Sequence, residues 1–347
     1  LKGTFGEYTN QPGLGFASTF NPNAQGSETL LWHDLNGNGD YDSGEVNLSA
    51  SGPDFVSASG GKSQLLNPGL QQPHEFEIMT ELDRELMKNT AIRLVYVRKE
   101  MLQLFDSAAR NVGRPIGDYT VPVPVVDPGP DGVIGTADDG QPMTLYAYPA
   151  QFAGGAFSQN MFVNAPSDRP NIYNTIEGTF EKRYSNRWNL LTSFGVTKTH
   201  EWLIAAAVPQ TPNDTLFPLN DTWKWNARAN GSYTLPYDIQ LSATLLANSG
   251  APYGRTVTFG HIPQLNTATV RLDPVGSERL PTFAMANFGV NKSLSVGARK
   301  LSIIFNVYNA FNTSAPTAAV FLSGPAYGYA TQVLAPRMLR LGARFTF

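Results

Sequence analysis

The chain has 347 residues, 25 Lys and Arg against 28 Asp and Glu, a formal net charge of −3 and no cysteine. The missing cysteine excludes disulfide scaffolds, thiolate metal sites and cysteine nucleophiles, and the slight acid excess argues against a nucleic-acid partner. Only 15% of residues are charged and 11% are aromatic, where soluble domains carry about 25% charged residues, yet no apolar run approaches the ~18 residues of a membrane helix.

Residues 1–72 show no sustained alternation and are expected to form an extracellular loop region. Within them, the segment from Asp34 to Glu45 spaces oxygen side chains as a calcium loop does. Asp34, Asn36 and Asn38 come first, Gly39 supplies the sharp turn, and Asp40, Asp42 and Glu45 follow. A hard cation wants six to eight oxygens, which closely spaced Asp and Asn in a glycine-rich loop can wrap around it. The same composition also makes plain turns, so both readings stand. No other cofactor is required by any motif. Gly61-Lys62-Ser63 ends like a phosphate loop, but Val56 stands where its first glycine belongs.

From residue 73 the pattern changes. Phe76, Ile78, Thr80 and Leu82 alternate with Glu75, Glu77, Glu81 and Asp83, the period of a strand with one apolar and one polar face. A tight link at Lys88-Asn89 leads to Ile92, Leu94 and Tyr96. A long link, about 105–171, holds a second acidic stretch in which Asp127, Asp131 and Asp138 are weaker metal candidates. Ile176, Gly178 and Phe180 oppose Glu177 and Glu181, and a turn at Ser185-Asn186 leads to Trp188, Leu190, Thr192, Phe194 and Val196. After a link at about 200–221, Trp225, Ala227, Ala229, Gly231 and Tyr233 alternate with Lys224, Asn226 and Arg228. Pro236-Tyr237-Asp238 turns into Ile239, Leu241, Ala243, Leu245 and Ala247. A link at about 249–281 precedes Ala284, Ala286, Phe288 and Val290, and a short turn joins these to Leu301, Ile303, Phe305 and Val307. The last link, about 312–335, leads to Leu339, Leu341, Ala343, Phe345 and Phe347, alternating with Arg340 and Arg344.

Short and long connections therefore alternate between about nine strands. Loops beyond about 12–15 residues are uncommon in compact soluble domains. A transmembrane β-barrel has short periplasmic turns at one end and long extracellular loops at the other, and in lipid only a closed barrel pairs every strand. The predicted fold class is thus all-β, the C-terminal portion of a transmembrane β-barrel over residues 73–347, since single-chain bacterial barrels have even strand numbers. A soluble sandwich or solenoid is the alternative. On the barrel reading Glu75, Glu77, Glu81, Arg228, Arg340 and Arg344 face the lumen, and outer-membrane lipid covers the other face.

Catalytic patterns are missing, and no enzyme is expected. None of His33, His74, His200 and His261 has a second histidine at metal-ligand spacing. His74-Glu75 opens like a zinc-protease motif, but Ile78 occupies the second histidine position. Trp32, Tyr146, Tyr148, Phe152, Phe157, Tyr327 and Tyr329 are loop aromatics suited to sugar stacking or to packing.

Several segments carry a family likeness. Asn306-Val307-Tyr308-Asn309-Ala310-Phe311-Asn312, followed by Pro336-Arg337-Met338 and the alternating row to Phe347, resembles the end of TonB-dependent outer-membrane transporters of the Oar-like subgroup. Gln72-Pro73-His74-Glu75-Phe76, the hairpin from Glu177 to Leu191, and Ser249-Gly250-Ala251-Pro252-Tyr253-Gly254 resemble further parts of that family. The resemblance implies a Gram-negative outer-membrane receptor that takes up a bulky nutrient through a plugged barrel of about 22 strands. It implies an N-terminal plug and upstream strands outside this sequence, and energy supplied by TonB through that part. It also implies that Leu341, Ala343, Phe345 and Phe347 form the signal read by the barrel-assembly machinery. The alternative function is a surface adhesion or assembly protein with calcium-stiffened loops.

Overall fold

The computed structural model describes the chain except residues 10–12, 14, 17–19, 21–25, 50–51, 61–64, 106–108, 204–206 and 298. The residues Gly61-Lys62-Ser63 lie outside the described set. Among the described residues no helix is long and apolar enough to cross a membrane.

The architecture is all-β and is dominated by one ten-stranded antiparallel sheet. Its strands are β1 (Lys2–Thr9), β2 (His74–Met87), β3 (Thr90–Leu102), β4 (Asn171–Ser185) and β5 (Trp188–Trp202). They continue as β6 (Leu219–Leu235), β7 (Ile239–Asn248), β8 (Phe283–Val296), β9 (Arg299–Tyr308) and β10 (Met338–Thr346). Each strand pairs with the next in chain order, so the sheet is an uninterrupted meander, and β1 and β10 are its two edges.

All nine strands expected from residue 73 onward are present as β2–β10, and a tenth precedes them, which removes the argument from an odd number. Lys2–Thr9, assigned to a loop by its sequence, pairs along its whole length with β2. Phe5 lies opposite Ile78 and stacks on Phe76 at 6.2 Å between ring centroids. Gly3, Gly6 and Glu7 interrupt the alternation that marks the other strands.

The tight turns use left-handed backbone where the strand twist requires it. Asn186 and Arg187 have φ of 53° and 70°, the pair of positive values that a two-residue turn needs to match the right-handed twist of its strands. Asn89 has φ of 65° between β2 and β3.

Alternation along each strand and register between strands together give the sheet two chemically distinct faces. Leu82, Leu94, Gly178, Phe194, Ala227, Ala247 and Ala284 stand side by side across β2 to β8. Leu94 and Phe194 are half exposed, at 50% and 51%. Along this row the small residues form the floor of a depression of about 870 Å³, with Leu82, Phe180, Phe194 and Leu245 around it. The opposite face of the same strands is lined by Glu, Lys, Arg, Thr, Ser and Asn.

The buried apolar core lies not under the sheet but in the long connections. Two hairpins, Val121–Val126 with Pro142–Ala147 and Thr256–Ile262 with Asn266–Arg271, pack together. They bury Leu145, Ala147, Val257, Phe259, Ile262, Val270 and Leu272. In the first hairpin Val121, Val123 and Val125 pack inward while Pro122 and Pro124 point out, which suits a strand that needs few ladder hydrogen bonds. The 312–335 segment joins the same layer. The Thr256 amide donates to the Phe321 carbonyl at 2.9 Å, the Gly324 amide to the Pro130 carbonyl at 3.0 Å, and Tyr253 stacks on Phe321 at 3.6 Å. The long connections are thus folded units rather than irregular loops.

Candidate functional site

The polar face of the sheet carries the first cluster. β2 contributes Glu75, Glu77, Glu81 and Asp83 at alternate positions, and β3 sets Lys99 opposite Glu77 and Arg93 opposite Asp83. Lys99 Nζ bridges Glu75 and Glu77 at 2.9 and 2.8 Å. Arg93 Nε reaches Asp83 at 2.8 Å and Glu81 at 3.4 Å. Lys2 of β1 adds contacts to Asp83 at 2.9 Å and Glu81 at 3.2 Å. The acids are therefore spent in ion pairs with their neighbours, the arrangement of a polar wall rather than of paired acid–base catalysts. Arg228 on β6 and Arg340 and Arg344 on β10 share this face by register, and all three are exposed.

The second cluster ties the loop layer together and was not foreseen from spacing. Arg255 Nη1 and Nη2 meet the two carboxylate oxygens of Asp127 at 2.6 and 2.5 Å. The two side chains are only 10% and 12% exposed. Arg255 also contacts Asp273 at 3.3 Å and Ser323 Oγ at 3.2 Å, so one guanidinium joins three connections. It holds the Asp127 carboxyl below the usual carboxylate range, against a smaller upward push from burial. In this arrangement both Asp127 oxygens are engaged by the guanidinium rather than free for a metal ion. Asp138 accepts from the Thr136 hydroxyl at 2.6 Å and the Asp131 amide at 3.3 Å, and Asp131 accepts from the Val133 amide at 2.8 Å. These contacts close a hydrogen-bonded turn.

The Asp34–Glu45 loop is closed in the same way. Asp34 accepts from the Gly37 and Gly39 amides at 2.7 and 3.0 Å. Asn36 and Asn38 turn their Nδ2 donors toward Asp42 Oδ2 at 2.6 and 2.8 Å, while their Oδ1 atoms accept from the Asn38 and Asp40 amides. Glu45, 4% exposed, accepts from Trp32 Nε1, the Leu35 amide and the Asp42 amide. Among the described residues no three acidic or histidine side chains converge on a point fit for a metal ion. In this arrangement Asp34, Asn36, Asn38 and Glu45 accept from the loop's own backbone amides, Glu45 also from Trp32, and Asp42 from the Asn36 and Asn38 side chains.

Other residues singled out by sequence are used structurally. The Arg114 guanidinium lies 3.7 Å over the Tyr148 ring, Phe152 packs edge-on against Phe157, and Trp32 is engaged by Glu45. Asn309, in the motif near the C-terminus, is 2% exposed. Its amide donates to the Thr313 and Ala335 carbonyls at 2.9 and 2.8 Å and its oxygen accepts from the Thr313 amide. One side chain thus clamps both ends of the 312–335 connection. Leu341, Ala343 and Phe345 lie on the apolar face of the edge strand β10, opposite Phe305, Ile303 and Leu301, and Phe347 follows at 97% exposure.

No protein-family model matches the chain, and no curated protein does. Among solved structures the chain is similar to the outer membrane transporter YddB from Escherichia coli, with 11% identity and a TM-score of 0.42. The likeness covers 82% of this chain and 34% of that one. The chain thus spans about a third of the length of that transporter.

Proposed function

We propose that the chain forms part of the wall of an outer-membrane β-barrel transporter, with the apolar face of the sheet in lipid and the polar face toward the lumen. The observation that carries this is the exposed apolar face. Monomeric soluble proteins rarely expose contiguous apolar patches beyond a few hundred Å², whereas here one face of a ten-stranded sheet presents Ile78, Leu94, Ile176, Phe194, Leu245, Ile303 and Leu341, each more than two-fifths exposed. Lipid is the solvent that accepts such a face, and strands that alternate apolar and polar are how a barrel meets it. Short turns gather at one end and the folded connections at the other, which supports a loop layer on the outer side of the membrane.

The finer reading is a TonB-dependent receptor of the Oar-like kind in a Gram-negative outer membrane. It imports a bulky nutrient captured by the loop layer, with a plug, upstream strands and TonB as partners, and the barrel-assembly machinery acts on β10. The motif at Asn306 to Asn312 and the terminal alternating row support it. It does no chemistry on its cargo. The rigid loop layer equally suits a surface adhesion role, which is the second reading.

These 347 residues contain no cysteine, so a single cysteine introduced among them reports its position once any cysteine elsewhere in the full-length protein is replaced. Leu94→Cys, Phe194→Cys and Leu245→Cys are expected to resist a membrane-impermeant maleimide in outer-membrane vesicles. Thr179→Cys, Ser193→Cys and Thr244→Cys, on the other face, are expected to react once the lumen is accessible. Equal labelling of the two sets would overturn the barrel reading. Loss of uptake on deletion of TonB then separates import from adhesion.

A further inference from the structure

The polar face is segregated by charge, and one half of it is left without counter-charges. Among the described residues every acid on that face lies on β2, β4 or β5, from Glu75 to Glu201. The half built by β6 to β10 carries Lys224, Arg228, Lys300, Arg340 and Arg344 and no acid at all. Among the described residues none of these five takes part in an ion pair, unlike the four ion-paired carboxylates of β2 on the same face.

Their placement has a direction. Lys224 and Arg340 stand near the loop ends of β6 and β10, Arg228 lies further down β6, and Arg344 and Lys300 lie toward the short-turn end. Like charges gathered on one wall raise the local potential and concentrate anions, more strongly where low-dielectric walls focus the field. Near the loop end a depression of about 570 Å³ contains Lys224, Arg228, Tyr173, Thr197, Asn226 and Asn248. It offers two charges and several neutral hydrogen-bonding groups. At about 3.4 Å per residue, the Cα atoms of Lys224 and Arg228 are roughly 14 Å apart, so a solute with anionic groups at both ends can engage both side chains at once.

We propose that the β6–β10 half of the polar face is a binding track for an elongated solute bearing two or more phosphate, sulfate or carboxylate groups. The solute is seated between Lys224 and Arg228, and Lys300, Arg340 and Arg344, three and four strands across the sheet, add to the same positive potential. This rests on the reading that the polar face lines a barrel lumen. An acidic polypeptide segment resting on the same track is the competing occupant.

The test uses the full-length protein purified from outer membranes in detergent, with heat-modifiable gel migration as the check of the barrel. Inorganic tripolyphosphate, citrate, maltotriose and spermine are titrated at low salt by calorimetry. Tripolyphosphate and citrate are expected to bind and maltotriose not to, anion binding is expected to weaken as salt rises, and any binding of spermine, which suits the acid-rich half, is expected not to compete with it. Lys224→Gln and Arg228→Gln should each lower affinity about tenfold, Lys224→Arg should restore it, and Glu177→Gln should leave it unchanged. Absence of anion binding in protein that migrates as a folded barrel overturns the track, as does binding indifferent to both glutamine variants. If anions bind only after an acidic segment is removed, the track belongs to that segment and the solute proposal fails. Loss of heat-modifiable migration would instead sink the barrel reading itself.

Discussion

Replacing Arg255 with methionine keeps most of its volume and removes the charge that Asp127 faces. The Asp127 side chain, 12% exposed and bonded at 2.5 and 2.6 Å to the guanidinium, is left with the Gly129 amide at 3.0 Å as its remaining donor. Breaking a buried pair in this way costs about 3–5 kcal/mol, because a charge stays behind without compensation. Since 1.4 kcal/mol is a factor of ten, the open population of the loop layer should rise by roughly two to more than three orders of magnitude. Limited proteolysis of the detergent-folded protein reads this directly, with cleavage expected in 105–171 and 249–281 while the sheet stays intact. The double variant Arg255→Met with Asp127→Leu should recover most of the resistance, since apolar replacement of a whole buried pair is often neutral or stabilising. The pH dependence follows from the sign of the shift. The Asp127 carboxyl is lowered in the folded state by Arg255, so its contribution is full above the ordinary carboxylate pKa of about 3.9 and is lost only as pH falls through the depressed value. Cleavage of the native protein should therefore stay flat down to about that pH and rise below it. A single variant as resistant as the native chain, or a double variant no better than the single, would refute this account of the loop layer.

Three further outcomes are expected. Leu245→Arg, on the apolar face, should destabilise the barrel by about 2–4 kcal/mol if the position is near the bilayer midplane, while Thr244→Arg, one residue away on the polar face, should cost far less; denaturant unfolding in lipid vesicles distinguishes them. Asn309→Ala leaves the Thr313 amide and the Thr313 and Ala335 carbonyls without their buried partner and should cost about 1–3 kcal/mol, seen as faster hydrogen exchange confined to the 312–335 connection. In the Asp34–Glu45 loop side-chain oxygens already accept from backbone and side-chain donors of the same segment, so chelation should not shift melting, whereas Glu45→Gln should expose the loop to protease; a calcium-dependent rise in melting temperature that Glu45→Gln abolishes would show that the donors re-aim onto a cation.

What was readable from sequence divides by the range of the interactions involved. Strand period is a local property, and Phe194, Leu245 and Leu341 announce their face within a few residues. Turn positions were readable for the same reason, since Asn89 and Asn186 suit positive φ. β1 was missed because Gly3, Gly6 and Glu7 blur its period, and its evidence lies in β2. Phe5 stacks on Phe76, and Lys2 meets Glu81 and Asp83 some eighty residues later in the chain.

The acidic loops show the same boundary from the other side. Asp127, Asp131 and Asp138 look like cation ligands when read in their own segment, because an acid's need for a counter-charge is local while the source of that charge is not. Arg255, 128 residues away, supplies it, and that single pairing changes a candidate metal site into the joint between two hairpins. The core of that layer, with Leu145 and Ala147 from one connection and Val257, Phe259 and Val270 from another, is likewise made of pieces too short to signal burial alone. Each long connection therefore supplies one half of a shared core. Loops that share a buried core and an ion pair hold a fixed shape, which is what the proposed capture of a solute would require.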